Sequence, residues 1–208
     1  MRSTQLVPLV SGLDMTLGDA ADVPQPPFAA AARSTQAGAL ADLDDPAFAA
    51  EQGSRGYWEP LDFFREFGGN VHFLAPYDPA KTPVLFVHGA SGSPQAWRSL
   101  ITRLDPTRFQ PWLFFYPSGA PVESMSHLLF WKLLNLQLRW QCDTVHVVAH
   151  SMGGLVVRRM LLDHGGQMPW IRHFASISTP WGGEASATTG VEWAPAVVPS
   201  WRDMQPEG

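Results

Sequence analysis

VHVVAHSMGGL, residues 145–155, is the stretch of sequence that decides the fold class. Its first half is an apolar strand pattern, which runs straight into a serine followed by two glycines. A strand-to-helix turn of this kind is sharp and strained, and it requires small residues two positions before and after the serine. Those residues are Ala149 and Gly153. The stretch therefore predicts a nucleophile elbow that places Ser151 at the top of a sheet.

The backbone N–H groups around this serine determine the chemistry that such a turn supports. Ser151 stands at the beginning of a predicted helix, whose positive N-terminus favours a developing oxyanion. The N–H of Met152 is therefore predicted to be one oxyanion donor. A second donor is expected from the loop after an earlier central strand. The segment VLFVHGA, residues 84–90, places Ala90 at that point.

Small or bracing residues complete the predicted site. His88 and Gly89 end the earlier strand, and we interpret both as support for the loop rather than as catalytic groups. His150 precedes the serine but points elsewhere on the elbow, so we interpret it as support for the turn.

The chain from residue 56 onward alternates apolar strand patterns with helix patterns. Unbroken apolar runs are typical of parallel strands that are covered on both faces. The predicted strands cover about residues 70–75, 84–87, 112–116, 144–149 and 173–178, and the predicted helices cover about 93–104, 123–141 and 153–163. This alternation predicts an α/β fold with a doubly wound, mostly parallel sheet.

Residues 1–55 differ from the rest in composition, being rich in Ala, Pro, Asp and Ser. Pro24, Pro26 and Pro27 exclude a regular element around them. We expect an N-terminal extension that is partly disordered, with a short helix over residues 39–51. The domain is expected to cover residues 56–208.

Three segments carry a resemblance to a known superfamily. They are VLFVHGASGSPQAW (84–97), VHVVAHSMGGLVVRRML (145–161) and SISTPWGGEAS (176–186). Their order and spacing resemble the α/β-hydrolase superfamily, in particular bacterial lipases and PGAP1-like esterases. The resemblance implies a serine hydrolase of carboxylic esters, often lipid esters, that needs no metal or cofactor. It covers about residues 56–186, and Ala149 stands where the family usually has glycine.

The rest of a catalytic triad is not found in the sequence. The family's chain order is serine, then acid, then histidine, yet no histidine follows His173. His164 ends the predicted elbow helix, and His173 begins a strand of about 20 Å, so both lie far from the serine. A general base must come within about 3 Å of the hydroxyl. Asp203 is the last acid that fits by position, and it has no histidine to orient.

We therefore expect the fold to lack its C-terminal strands, and turnover by this chain to be weak or absent. Three explanations are open: a fragment, a non-catalytic member, or a chain completed by a partner. We favour a fragment, because the last predicted strand would leave an unpaired sheet edge.

Composition excludes several other functions. The net charge is −5 with no basic tract, so we expect no nucleic-acid partner. His146 and His150 are about 13 Å apart on a strand, too far for one metal ion, and no metal site is predicted. The single Cys142 is expected to be a small buried residue.

The sequence says less about the cellular compartment of the protein and about its binding partners. No secretory signal is visible at the N-terminus, whereas the family likeness favours the cell envelope or secretion. Only 16% of residues are charged and 12% are aromatic, which leaves contact with a membrane surface open. The oligomeric state is also open.

Two other functions compete with ester hydrolysis. The first is a non-catalytic module that binds acyl chains or a partner through Trp181, Trp193 and Trp201. The second is another acyl-transfer enzyme, such as a thioesterase or acyltransferase, which would use the same elbow. Trp181 and the glycines after it are also interpreted as the beginning of a lid.

Overall fold

A six-stranded sheet forms the centre of the protein, in a computed structural model that describes residues 36–193 and 197–206. The strand order is β1-β2-β4-β3-β5-β6. Only β2 and β4 run antiparallel, and every other neighbouring pair is parallel. The predicted α/β class with a mostly parallel sheet is confirmed.

The strands and helices follow the predicted alternation closely from residue 70 to residue 177. The strands are β1 (Ala39–Leu40), β2 (Asn70–Phe73), β3 (Thr82–Val87), β4 (Phe109–Phe115), β5 (Val145–His150) and β6 (Ile171–Ile177). The helices are α1 (Ala50–Trp58), α2 (Pro60–Phe67), α3 (Arg98–Ile101), α4 (Val122–Trp140), α5 (Met152–His164), α6 (Ala185–Trp193) and α7 (Ser200–Asp203). No helix within the described ranges has the length and apolarity needed to cross a bilayer.

The central strand β3 shows why helices cover both faces of the sheet. Successive side chains of a strand point to opposite faces. Leu85 and Val87 belong to the main core with α4 and α5, whereas Val84 and Phe86 pack with Trp97 beside α3. Because both faces are buried, the strand is apolar without interruption.

The folded part begins upstream of the boundary expected at residue 56. That boundary falls inside α1, and Phe48 is 0% exposed in a cluster with Phe63 and Phe115. The helix predicted over residues 39–51 was wrong. Pro46 instead begins a short 3-10 helix that Asp45 caps, its carboxylate accepting from the Ala47 N–H at 2.8 Å. The disorder expected before residue 36 lies outside the described residues.

The segment after β6 forms a loop over residues 178–184 and then the helices α6 and α7, and its last part contacts the beginning of α4 and the loop before it. The Asp203 carboxylate accepts a hydrogen bond from the Val122 N–H, at the beginning of α4, at 2.8 Å. The Ser200 N–H donates to the Gly119 carbonyl at 3.1 Å. Within the described sheet β6 is an edge strand that pairs with β5 alone.

Candidate active site

Ser151 occupies a sharp turn between β5 and α5. Its backbone has φ 52° and ψ −131°, a positive-φ conformation that residues other than glycine rarely adopt. The turn is held by two hydrogen bonds: the Ser151 N–H donates to the Ile177 carbonyl at 2.8 Å, and the Ser151 carbonyl accepts from the Gly154 N–H at 2.9 Å. The surrounding structure thus determines the strained conformation.

The small residues around Ser151 allow α5 to begin against the end of β3. A Cβ atom on Gly153 would lie 2.4 Å from the His88 carbonyl oxygen and 2.6 Å from that of Val87. Ala149, two residues before the serine, is 0% exposed. A side chain at position 153 would therefore collide with the backbone of β3 and the loop after it.

The loop after β3 lies directly against the serine. A Cβ on Gly89 would approach the Ser151 Cβ to 2.7 Å and its Oγ to 3.3 Å. The loop turns through Ser91, whose φ is 55°, and the Ser91 N–H donates to the Ser118 Oγ at 3.0 Å. The loop after β3 and the turn at Ser151, which the sequence predicted to form one site, are thus adjacent.

The two predicted oxyanion donors belong to these adjoining segments. Met152 is the first residue of α5, where N–H groups have no partner inside the helix. Ala90 follows Gly89 in the loop. Among the described residues, neither N–H donates to another protein atom. Both groups are therefore available to an acceptor at the site.

His88 is a buried brace for this loop. Its Nδ1 lies 2.9 Å from the Gly89 carbonyl oxygen, which only accepts, so Nδ1 carries the proton. The ring stacks on Tyr116 with centroids 4.4 Å apart, and the Tyr116 hydroxyl donates to the His88 carbonyl at 2.7 Å. Burial lowers the pKa of His88 to about 4, so the imidazole is neutral at pH 7.

The other histidines near the predicted site do not come together with Ser151. The ring of His150 approaches Trp97, with centroids 6.5 Å apart, on the sheet face opposite α4 and α5. His164 ends the 13-residue helix α5, roughly 20 Å from its first residue. His173 begins β6 beside His146, with ring centroids 4.6 Å apart.

The tryptophans proposed for a binding role have different environments. Trp181 is 45% exposed, and the Arg158 guanidinium lies 5.6 Å from its ring centroid. The indole N–H of Trp201 donates to the Tyr57 hydroxyl, which fixes this half-buried ring. The side chain of Trp193 lies outside the described residues.

An apolar groove of about 690 Å³ opens beside the segment that braces the loop after β3. Its walls come from α1 and α2, the beginning of α4, and residues 197–199. Three of its apolar side chains are strongly exposed: Trp58 at 57%, Leu61 at 73% and Phe64 at 47%. The groove reaches Ala120, two residues after the Ser118 that braces the loop after β3.

Comparison with known proteins agrees with this architecture. The family model for lecithin:cholesterol acyltransferase matches residues 130–192, which include β5, α5 and β6. The mature form of lipase BlEst2 from Bacillus licheniformis superposes with a TM-score of 0.56 at 21% identity, covering 65% of this chain and 60% of the lipase. The chain has the α/β-hydrolase fold.

Two further structures and one sequence search complete the comparison. The propeptide form of the same lipase gives a TM-score of 0.54 at 20% identity, covering 66% of this chain and 33% of that one. Aspergillus fumigatus lipase B gives a TM-score of 0.48 at 19% identity, covering 59% of this chain and 30% of the lipase. A sequence search of curated proteins finds no match. The chain therefore spans at most 60% of the length of these lipases.

Sequence reasoning missed three side chains that shape this part of the hydrolase fold. Tyr116 and Ser118 brace the loop after β3 from positions beyond β4. Thr179 follows β6, and a Cβ on Gly154 would lie 2.1 Å from its Oγ1, which is buried without a hydrogen-bond partner among the described residues. Thr179 lies in the segment STPWGG, which the sequence analysis quoted, but nothing in that segment predicted its contact with Gly154.

Proposed function

We propose that the chain carries the nucleophile of a serine hydrolase that acts on carboxylic esters with apolar acyl groups. One observation carries this proposal: Ser151 lies on a positive-φ turn at a helix N-terminus, with Gly89 against it and two unpaired N–H groups beside it. A strained turn at such a position is characteristic of an activated serine.

The proposed reaction is acyl transfer through the serine hydroxyl. Ser151 Oγ attacks the ester carbonyl carbon while a base takes its proton, and a tetrahedral oxyanion forms. The N–H groups of Met152 and Ala90 donate to that oxyanion. The C–O bond to the alcohol then breaks as the alcohol takes a proton, and water releases the acid from the acyl-serine. Each oxyanion donor contributes about 10²–10³ in rate in comparable enzymes.

In this scheme we assign the base to a group outside the 208 residues. The sequence has seven histidines, all within the described residues. His88 uses its Nδ1 proton within the loop, and His150 lies on the other face of the sheet. We therefore expect the chain alone to turn over esters weakly or not at all.

The apolar groove supports an apolar acyl group as part of the substrate. Trp58, Leu61 and Phe64 present an apolar wall to solvent, and a pocket of this kind suits an alkyl chain. The resemblance to PGAP1-like esterases, in contrast, remains a prediction.

Two other functions each have a supporting observation. The match to the lecithin:cholesterol acyltransferase model favours transfer of the acyl group to an alcohol rather than to water. The groove, whose walls come from this chain alone, favours acyl binding without catalysis. Both would use the same surface of the molecule.

Chemical rescue tests the proposal directly. Imidazole at high concentration should replace the missing base, so that hydrolysis of p-nitrophenyl butyrate by the chain rises above the imidazole-only rate. Ser151→Ala should abolish this increment, whereas Ser99→Ala, at an exposed serine of α3, should preserve it. An increment of equal size in Ser151→Ala would refute the assignment of the nucleophile.

A further inference from the structure

Two histidines and an aspartate come together where α4 packs against the end of α5, away from the proposed active site. They are His127 on α4, and Asp163 and His164 in the last turn of α5. One possible ligand atom from each of the three lies within 4.8 Å of the others. Two ligands of a tetrahedral zinc ion stand about 3.3 Å apart, so small side-chain rotations close the site.

The ring of His164 is already fixed in place. It stacks on Phe130 with centroids 3.9 Å apart and an interplanar angle of 14°. The centroid of the His127 ring lies 5.4 Å away. The Nε2 atom of His164 is buried, and it has no hydrogen-bond partner among the described residues. Buried nitrogens normally have a hydrogen-bond partner, so the Nε2 atom of this packed ring can still form a bond.

The electrostatic surroundings favour a cation. The C-terminal end of a helix carries partial negative charge, and His164 is the last residue of α5. Asp163 Oδ2 accepts from Arg159 at 2.7 Å, which leaves its second oxygen available, and Glu123 balances Arg159 at 3.2 Å. The salt-bridge chain therefore holds the Asp163 carboxylate in position beside the two imidazoles.

We propose that His127, Asp163 and His164 bind a zinc ion that clips α4 to α5. Two imidazoles and one carboxylate suit Zn²⁺ better than Mg²⁺ or Ca²⁺, which prefer oxygen ligands. The fourth position belongs to water. Because α5 begins next to Ser151 and ends at His164, the ion lies at the opposite end of the helix from the proposed chemistry. It stabilises the fold and takes no part in acyl transfer.

Zinc-dependent thermal unfolding of the chelator-treated chain, without added tag histidines, tests the site. Zinc at about a hundredfold excess over its dissociation constant should raise Tm by roughly 5–10 °C, with one ion bound per chain. Mg²⁺ should give no shift, and Co²⁺ should give the visible spectrum of a tetrahedral complex. His127→Gln should fold, because this side chain is exposed, and should lose both the shift and the spectrum.

A matched control is the second histidine pair, His146 and His173, on the sheet. His173→Gln replaces another exposed histidine and should keep the full zinc response. The proposal is overturned if zinc does not shift the Tm of the unmodified chain, or if His127→Gln responds as strongly. It is also overturned if the response disappears in His173→Gln, because zinc would then bind at the sheet.

Discussion

At the level of single residues, Gly153 allows the turn at Ser151 to pack against the end of the central strand β3. Replacement by alanine puts a Cβ 2.4 Å from a backbone carbonyl oxygen, and backbone cannot move as a flexible side chain can. Overpacking of this kind costs about 1–3 kcal/mol, so Gly153→Ala should lower Tm by roughly 2–12 °C. Thermal unfolding measures this. Gly166→Ala, where a Cβ meets nothing within 4 Å, is the control and should leave Tm nearly unchanged.

Two buried histidines should make stability depend on pH. His72 and His88 are 1% and 2% exposed. Burial lowers the pKa of both to about 4, and the charge of Lys132 adds to the effect for His72. The two imidazoles bind protons near pH 6.5 in the unfolded chain and near pH 4 in the folded chain. The free energy of unfolding that they contribute is therefore fully present above pH 6.5 and is lost as the pH falls from there towards pH 4.

Denaturant unfolding between pH 7 and pH 4 measures this dependence. Each histidine should contribute a loss of up to about 1.4 kcal/mol per pH unit below pH 6.5. His88→Gln removes one of these groups and should reduce the slope by up to about 1.4 kcal/mol per pH unit, even though it also weakens the loop. A slope that is the same in this variant would show that His88 is not the titrating group.

The residues of the site were predictable to the extent that they are close in sequence. Ala149, Ser151 and Gly153 form one local pattern, and its steric demands are visible in the letters. The brace from Tyr116 and Ser118 was not predictable, because these residues approach the loop only after β4 has paired with β3.

At the scale of elements, the segment before α1 belongs to the fold and is more than a linker. Phe48 is fully buried against Phe63 and Phe115. Phe48→Ala should cost about 3–5 kcal/mol, as measured by denaturant unfolding. The control is Phe64→Ala in α2, whose side chain is 47% exposed and should cost much less. Similar losses in both variants would contradict the assignment of residues 36–55 to the core.

The central elements were predictable because each is encoded by its own apolar pattern. β3, β4, β5 and the helices after them carry unbroken or periodic apolar runs. β1 has two residues and pairs only with β2, so no local pattern reveals it. The helices after β6 were missed for a related reason: α7 is four residues long and is fixed by contacts with the Val122 and Gly119 backbone.

At the scale of the whole molecule, the groove and the serine turn should act as one substrate site. Leu61→Asp places a charge on the groove wall and should weaken binding of dodecanoate roughly tenfold or more, because a leucine side chain that the ligand covers contributes about 1.5–3 kcal/mol. Calorimetric titration measures this. Leu138→Asp, at a similarly exposed leucine of α4, should bind normally. Equal weakening in both variants would exclude the groove as the acyl site.

Covalent trapping tests whether Ser151 is an activated nucleophile. The chain is treated with an alkyl fluorophosphonate in the presence of imidazole, and the modified residue is located by peptide mass spectrometry. We expect one phosphonyl group per chain on Ser151 and none in Ser151→Ala. An unmodified chain, or an adduct on another serine that persists in Ser151→Ala, would contradict it.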